Sequence, residues 1–241
     1  MSVTVSERKS YPIYIMLDSS ASMRRRLPGA LAPQEEFEQM IPDLIMSLSD
    51  SRSLAKAAWI SVIAFGDRPE LLCPMTSLAE PVQVRSPRDG GHTDYAGALR
   101  FLHERIEVDR VAIEAHGAAG NYRTKVARPL VFFITDGAPY AHGEFQRPGE
   151  WMPYREKIVS EPVQARIAAI GLHGAHQGTL FAIATGKGRE RNAFIATARD
   201  EGAGDSLAES VITVIERSIK LSVRTGEMVI DEPRGMRRVH D

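Results

Sequence analysis

The chain has a single cysteine, Cys73, among 241 residues. That excludes an intramolecular disulfide and any cysteine-rich zinc site. It has almost no net charge: −1 from 30 basic and 31 acidic side chains. No global field therefore draws it to nucleic acid or to an anionic membrane. No apolar run approaches the roughly 20 residues of a membrane span. The opening MSVTVSERKSYPIYIM lacks a secretory pattern, because its apolar run is short and closed at once by Asp18. The default expectation is a cytoplasmic protein. The phosphate-loop pattern and the G-x-S-x-G elbow are also missing, and GKGRER (186–191) lacks the first glycine a phosphate loop needs.

What is present is an apolar run that stops at an acid. In YPIYIMLDSSAS (11–22), residues 13–17 read as a strand buried on both faces, with Asp18 at its end and Ser20 and Ser22 at alternate positions after it. In open α/β sheets, ligands bind beyond the carboxyl ends of strands, where strand order reverses. A carboxylate with two hydroxyls is an all-oxygen set suited to a hard cation such as Mg²⁺, but three oxygens are too few. Two further loops offer more. Gly90-Gly91-His92-Thr93-Asp94 is a flexible loop carrying a hydroxyl, and VFFITDG (131–137) repeats the pattern of strand, acid and turn glycine. The competing reading makes Asp18 and Ser20 an Asx-turn or N-cap and TDG a plain turn.

The remaining pattern alternates strands with helices. Strands are expected at 57–65, 71–75, 82–84, 130–135, 179–184 and 194–196. Helices are expected at 34–51, with Pro42 kinking or breaking it, at 95–106, and within 154–173. Ser206 to Glu209 reads as the capping box of a last helix ending near 221. Residues 111–115 extend the second helix or stand apart from it. Residues 116–127 and 142–156 read as loops. Together these imply a Rossmann-like, doubly wound α/β fold, a mainly parallel central sheet with helices on both faces. One domain over 11–223 is expected, between a flexible stretch at 1–10 and a flexible tail at 224–241.

DSSAS (18–22), Thr93 and Asp136 in ITDG resemble the three loops of the metal-ion-dependent adhesion site (MIDAS) of von Willebrand factor A (vWA) domains. The order and spacing match from about residue 11 to 221. SVIAFGD (61–67), GGHTDYAGAL (90–99) and RPLVFFITDGAP (128–139) resemble the bacterial TerY-like branch, encoded in tellurium-resistance and stress operons. The resemblance implies that Asp18, Ser20, Ser22, Thr93 and Asp136 hold one Mg²⁺, with Mn²⁺ as a substitute, some directly and some through water. It implies that a Glu or Asp of a protein partner completes the octahedron. A protein kinase, a phosphatase or a MoxR-type AAA+ ATPase is the kind of partner implied; no nucleic acid or membrane partner is. The function implied is a non-enzymatic adaptor in a stress-response or defence complex. The alternative is a Mg²⁺-dependent phosphatase or hydrolase with Asp18 as nucleophile, which lacks a second acid at position 20.

Arg24, Arg25 and Arg26 beside the first loop are either a rim that steers an acidic partner or a solvated face paired with Glu35 and Glu36. His92 is a second candidate contact, against a plain polar surface role. Phe145, Trp151 and Tyr154 are aromatic candidates for the partner surface, with Trp151 foremost, or they pack their own loop. His173 and His176 have no nearby acids for a zinc site.

Overall fold

The computed structural model describes residues 6–26, 30–172, 174–188, 190–196, 206–226, 230 and 235–240. In chain order the elements are β1 (Glu7–Asp18), α1 (Pro33–Ser49), α2 (Arg52–Ala57), β2 (Ala58–Phe65), β3 (Glu70–Ser77), α3 (Tyr95–Ala119), β4 (Arg123–Val126), β5 (Leu130–Thr135), β6 (Tyr140–Ala141) and β7 (Glu144–Phe145). There follow α4 (Pro148–Val159), β8 (Arg166–Gly171), α5 (Gln177–Ile183), β9 (Gly186–Lys187), β10 (Glu190–Arg191), β11 (Ala193–Ala196), α6 (Leu207–Thr225) and β12 (Met236–Arg238).

The main sheet runs β12-β11-β8-β5-β1-β2-β3, with β4 also paired to the start of β1. β2, β1, β5, β8 and β11 are parallel, and β3 and β12 are antiparallel edges. The alternation along β1 explains the two layers. Ile13, Ile15 and Leu17 face a core with α1 and α6, while Tyr14 and Met16 face the opposite core with α3, α4 and α5. The connections leave β1 to one side through α1 and return on its other side to β5. The strand order therefore reverses between β1 and β5, and Asp18 and Asp136 stand at that crevice.

Several expected elements differ. Residues 179–184 are not a strand: α5 covers most of them, and the His176 imidazole caps that helix by accepting from the Thr179 amide at 3.2 Å. The helix expected within 154–173 is instead α4, earlier, followed by β8. Both short apolar runs carry no period that separates helix from strand. α1 continues past Pro42, since only one backbone bond is lost and buried Phe37, Ile41, Leu44, Ile45 and Leu48 hold both halves. α3 extends to Ala119, and β4 lies where a loop was expected. Residues 82–84 form no strand, although Val82 and Val84 pack on the core.

Both flexible ends need correction. β1 begins at Glu7, because β4 pairs with residues 7–10. At the other end β12 joins the sheet beside β11, and Ile230, Met236 and Val239 are buried. His173 lies outside the described residues, as do parts of both ends.

Candidate metal centre

The end of β1 places Asp18 with no exposed surface. One carboxylate oxygen accepts from the Ser20 amide at 2.8 Å, the other from the Thr135 hydroxyl at 2.6 Å. The Asx-turn of the competing reading therefore exists, but it uses one oxygen only. Ser20 Oγ lies 3.1 Å from Ser22 Oγ, and Ser22 Oγ donates to Asp136 Oδ1 at 2.8 Å. A 3₁₀ turn, Ser22–Arg24, fixes this spacing, anchored by the buried Met23.

The second loop arrives by two sets of bonds. Thr93 pairs with Tyr140 in both directions, at 2.9 and 3.1 Å. The Asp67 carboxylate accepts from the Gly91 and His92 amides and stands 2.5 Å from His92 Nδ1. Gly90 must be glycine here: a Cβ would stand 2.9 Å from the Ser19 carbonyl oxygen. Gly137 keeps the floor open. A methyl there would stand 3.1 Å from Thr93 Oγ1 and 3.8 Å from Asp18 Oδ2, so those two oxygens border one space. Asp94 is the N-cap of α3, accepting from the Gly97 amide at 2.9 Å.

Three positions were not singled out from sequence. Thr135 donates to Asp18, Tyr95 donates to the Gly137 carbonyl at 3.1 Å, and Gln146 braces Asp94 at 2.7 Å. For Thr135 a signal existed, since it ends the strand beside β1.

Electrostatics ask for a cation. Burial pushes the Asp18 carboxyl up to about 7, against the bonds from Thr135 and Ser20, and the Asp136 charge adds to the rise. Burial also raises Asp136. Among the described residues no three His, Cys, Asp or Glu side chains cluster as a metal site. The donors here are two carboxylates and three hydroxyls, which fit a hard divalent ion and not one sought by thiolate or imidazole.

A pH dependence follows. A carboxyl whose pKa is higher folded than unfolded stabilises the fold fully below its unfolded value, and that contribution is lost as pH rises through the folded value. Without metal, the melting temperature is expected to fall as pH rises from about 5 to about 8. A bound dication favours the ionised carboxylate, so the gap between melting curves in Mg²⁺ and in EDTA widens over the same range.

The family model for the von Willebrand factor type A domain matches residues 13–138, more than half of the chain and all three loops. The chain belongs to the von Willebrand factor type A domain family. No curated protein matches its sequence significantly. Among solved structures, the vWA domain resembles proximal thread matrix protein 1 of the mussel byssus, at 19% identity and TM-score 0.54 over 91% of this chain and 50% of that one. A form of that byssus protein carries zinc in its MIDAS motif, with TM-score 0.50, 16% identity and 91% and 48% coverage. The SpaC pilus adhesin of Lactobacillus rhamnosus GG is similar at 12% identity and TM-score 0.58, over 88% of this chain and 30% of that one. The vWA chain spans about half the length of the byssus protein. These likenesses concern the fold. Family members are in general interaction modules. No helix among the described residues is long and apolar enough to cross a membrane.

The expected contact residues of this vWA domain divide. Arg24 is not a free rim charge: it donates to the Ser19 and Gly90 carbonyls at 2.9 and 2.7 Å and meets Asp89 at 3.5 Å, tying the first loop to the second. Arg26 is paired with Glu35 in a bidentate contact through Nε and Nη2. Arg25 is exposed and has no ion pair among the described residues. His92 is partly exposed beside Asp67, its ring 5.5 Å from that of Tyr140. Trp151 is corrected: it lies in α4, 1% exposed, with its ring 6.2 Å from Tyr95. The exposed aromatic is Phe145, 69% exposed on the β6–β7 hairpin and 5.3 Å from Tyr140.

Proposed function

We propose that this vWA domain is a metal-dependent protein-binding module whose partner supplies a carboxylate to a cation held by Asp18, Ser20, Ser22, Thr93 and Asp136. The observation that carries the reading is the convergence of three loops. Ser20, Ser22 and Asp136 are linked by hydrogen bonds, and Gly137 holds open the space between Asp18 and Thr93. Mg²⁺ is the ion that best suits these oxygens, with Mn²⁺ as the substitute. The zinc-occupied MIDAS of the byssus protein supports metal binding in this fold. When bound, the ion supplies a positive centre with a position open to an outside carboxylate. Ser22 is exposed, so the arrangement opens to solvent.

Beside this opening, His92, Tyr140 and Phe145 form an aromatic ledge, and Tyr140 is bonded to Thr93. The ledge gives the partner's acidic residue an apolar neighbour to bury. The cellular role as an adaptor in a bacterial stress, tellurium-resistance or defence complex rests on the TerY-like motifs, and so does the expected kinase, phosphatase or MoxR-type partner. The phosphatase alternative draws no support from the geometry. Asp18 has no exposed surface, and both its oxygens already accept hydrogen bonds.

The test is capture from the native cytosol with wild type in Mg²⁺, wild type in EDTA, and Asp18→Ala in Mg²⁺. The reading expects a partner in the first only. A partner kept in all three contradicts it. Phe145→Ala is expected to weaken that partner by about tenfold, as an aromatic anchor does, with Mg²⁺ affinity unchanged in calorimetry.

A further inference from the structure

At the opposite end of β1, about 30 Å from Asp18 at strand rise, a second feature stands apart from the metal loops. A cavity of about 250 Å³ is lined by Lys9, Lys125, Arg128, Arg166, Tyr11 and Ser222, among others. Four cations from three stretches of chain surround it, and no carboxylate lines it among the described residues. In a chain with nearly equal numbers of acids and bases, that segregation is an anomaly to be explained.

Two local observations sharpen it. Lys9 and Lys125 are direct register partners on neighbouring strands, an arrangement of like charges that costs stability unless something offsets it. The nearest acid on these strands, Glu7, lies two residues further out, opposite Arg123. None of the four cations has an ion pair among the described residues. Arg166 is partly accounted for by the carboxyl end of α6, where it reaches the Gly226 carbonyl at 3.5 Å. Lys9 rests its ammonium 4.8 Å from the Tyr11 ring centre. Lys125 and Arg128 have no such account.

The second observation is independent of charge. Ser222 is 1% exposed, and its Oγ is buried with no hydrogen-bond partner. A serine inside a helix ordinarily bonds back to the carbonyl four residues earlier, and this one does not. An orphaned buried hydroxyl costs free energy, and here it belongs to a residue that lines the cationic cavity.

We propose that this cavity is a binding site for a small phosphate-bearing anion, with Lys9, Lys125, Arg128 and Arg166 supplying charge and Ser222 the buried hydroxyl. The concave shape favours a compact phosphate or phosphomonoester over an extended polyanion, which would need a groove or a flat basic face.

The probes are inorganic phosphate and pyrophosphate, titrated by calorimetry into the full chain in EDTA, so that the metal centre takes no part. Chloride at matched ionic strength is the control. Saturable binding of either probe is expected, with a dissociation constant raised by about tenfold or more in Lys9→Gln/Lys125→Gln, which removes two charge-assisted contacts. Both lysines are exposed and removing them relieves the facing like charges, so that variant is expected to melt no lower than the wild type without ligand. Ser222→Ala is expected to weaken binding severalfold without lowering the ligand-free melting temperature. Heats matched by chloride, or equal affinity in wild type and the double variant, would overturn the site. Binding lost in the lysine variant but untouched in Ser222→Ala would overturn the role of the hydroxyl.

Discussion

Mg²⁺ at about 100 times its dissociation constant is expected to raise the melting temperature of the wild-type chain by about 5–10 °C, and Asp18→Asn is expected to abolish that rise. The size follows from linkage: such an excess stabilises the folded state by about 2.7 kcal/mol, and a domain of this length gains about 2–4 °C per kcal/mol. Asparagine keeps the volume of the side chain and an oxygen for the Ser20 amide. It removes a buried charge whose carboxyl burial already pushes up to about 7. The metal-free variant is therefore expected to melt no lower than the metal-free wild type near neutral pH, and to differ only in its response to metal. Differential scanning fluorimetry across a Mg²⁺ series checks both halves. An equal rise in wild type and variant places the ion elsewhere.

Trp151→Ala is expected to destabilise the fold by about 3–5 kcal/mol, the usual cost of emptying a buried aromatic site. At this chain length that lowers the melting temperature by about 6–20 °C. Trp151 is among the largest fully buried side chains and packs against Tyr95, whose hydroxyl braces Gly137 at the metal loops. Its indole nitrogen has no hydrogen-bond partner. Trp151→Phe therefore loses volume but no polar contact, and is expected to recover most of the loss. Denaturant unfolding of the three proteins measures this. A fall for Trp151→Ala of less than about 1 kcal/mol would return Trp151 to the surface role that the sequence suggests.

The contrast between Trp151 and Phe145 shows where the sequence stops being readable. Both are aromatics in a polar stretch after the third loop, and composition does not say which one faces in. A capped helix, α4, turns Trp151 inward, while the short β6–β7 hairpin turns Phe145 outward. β1, β2 and β5 were legible because they are apolar runs rich in β-branched and aromatic residues, closed by turn residues. RIAAIG and QGTLFAI were not, because an apolar run of six or seven residues carries no distinguishing period. β12 hides in a charged stretch, and only its pairing with β11 makes it a strand.

The same division holds at the metal centre. Asp18, Ser20, Ser22, Thr93 and Asp136 could be proposed from strand ends and motif order. Most of the supporting bonds could not: Asp67 under the glycine loop, Arg24 bridging two loops and Tyr95 under Gly137. Each joins elements tens of residues apart, and no local pattern encodes that meeting. Arg24 is the instructive case. Read as one of three equivalent charges, it is instead a brace whose two carbonyl bonds set the distance between loops.

The most direct test of the central claim is anomalous diffraction from crystals of the full chain grown with Mn²⁺. The account predicts one strong peak within bonding distance of Ser20 Oγ and Ser22 Oγ and beside Thr93, absent in Asp18→Asn. A peak at other residues, or none at full Mn²⁺ saturation, would contradict it.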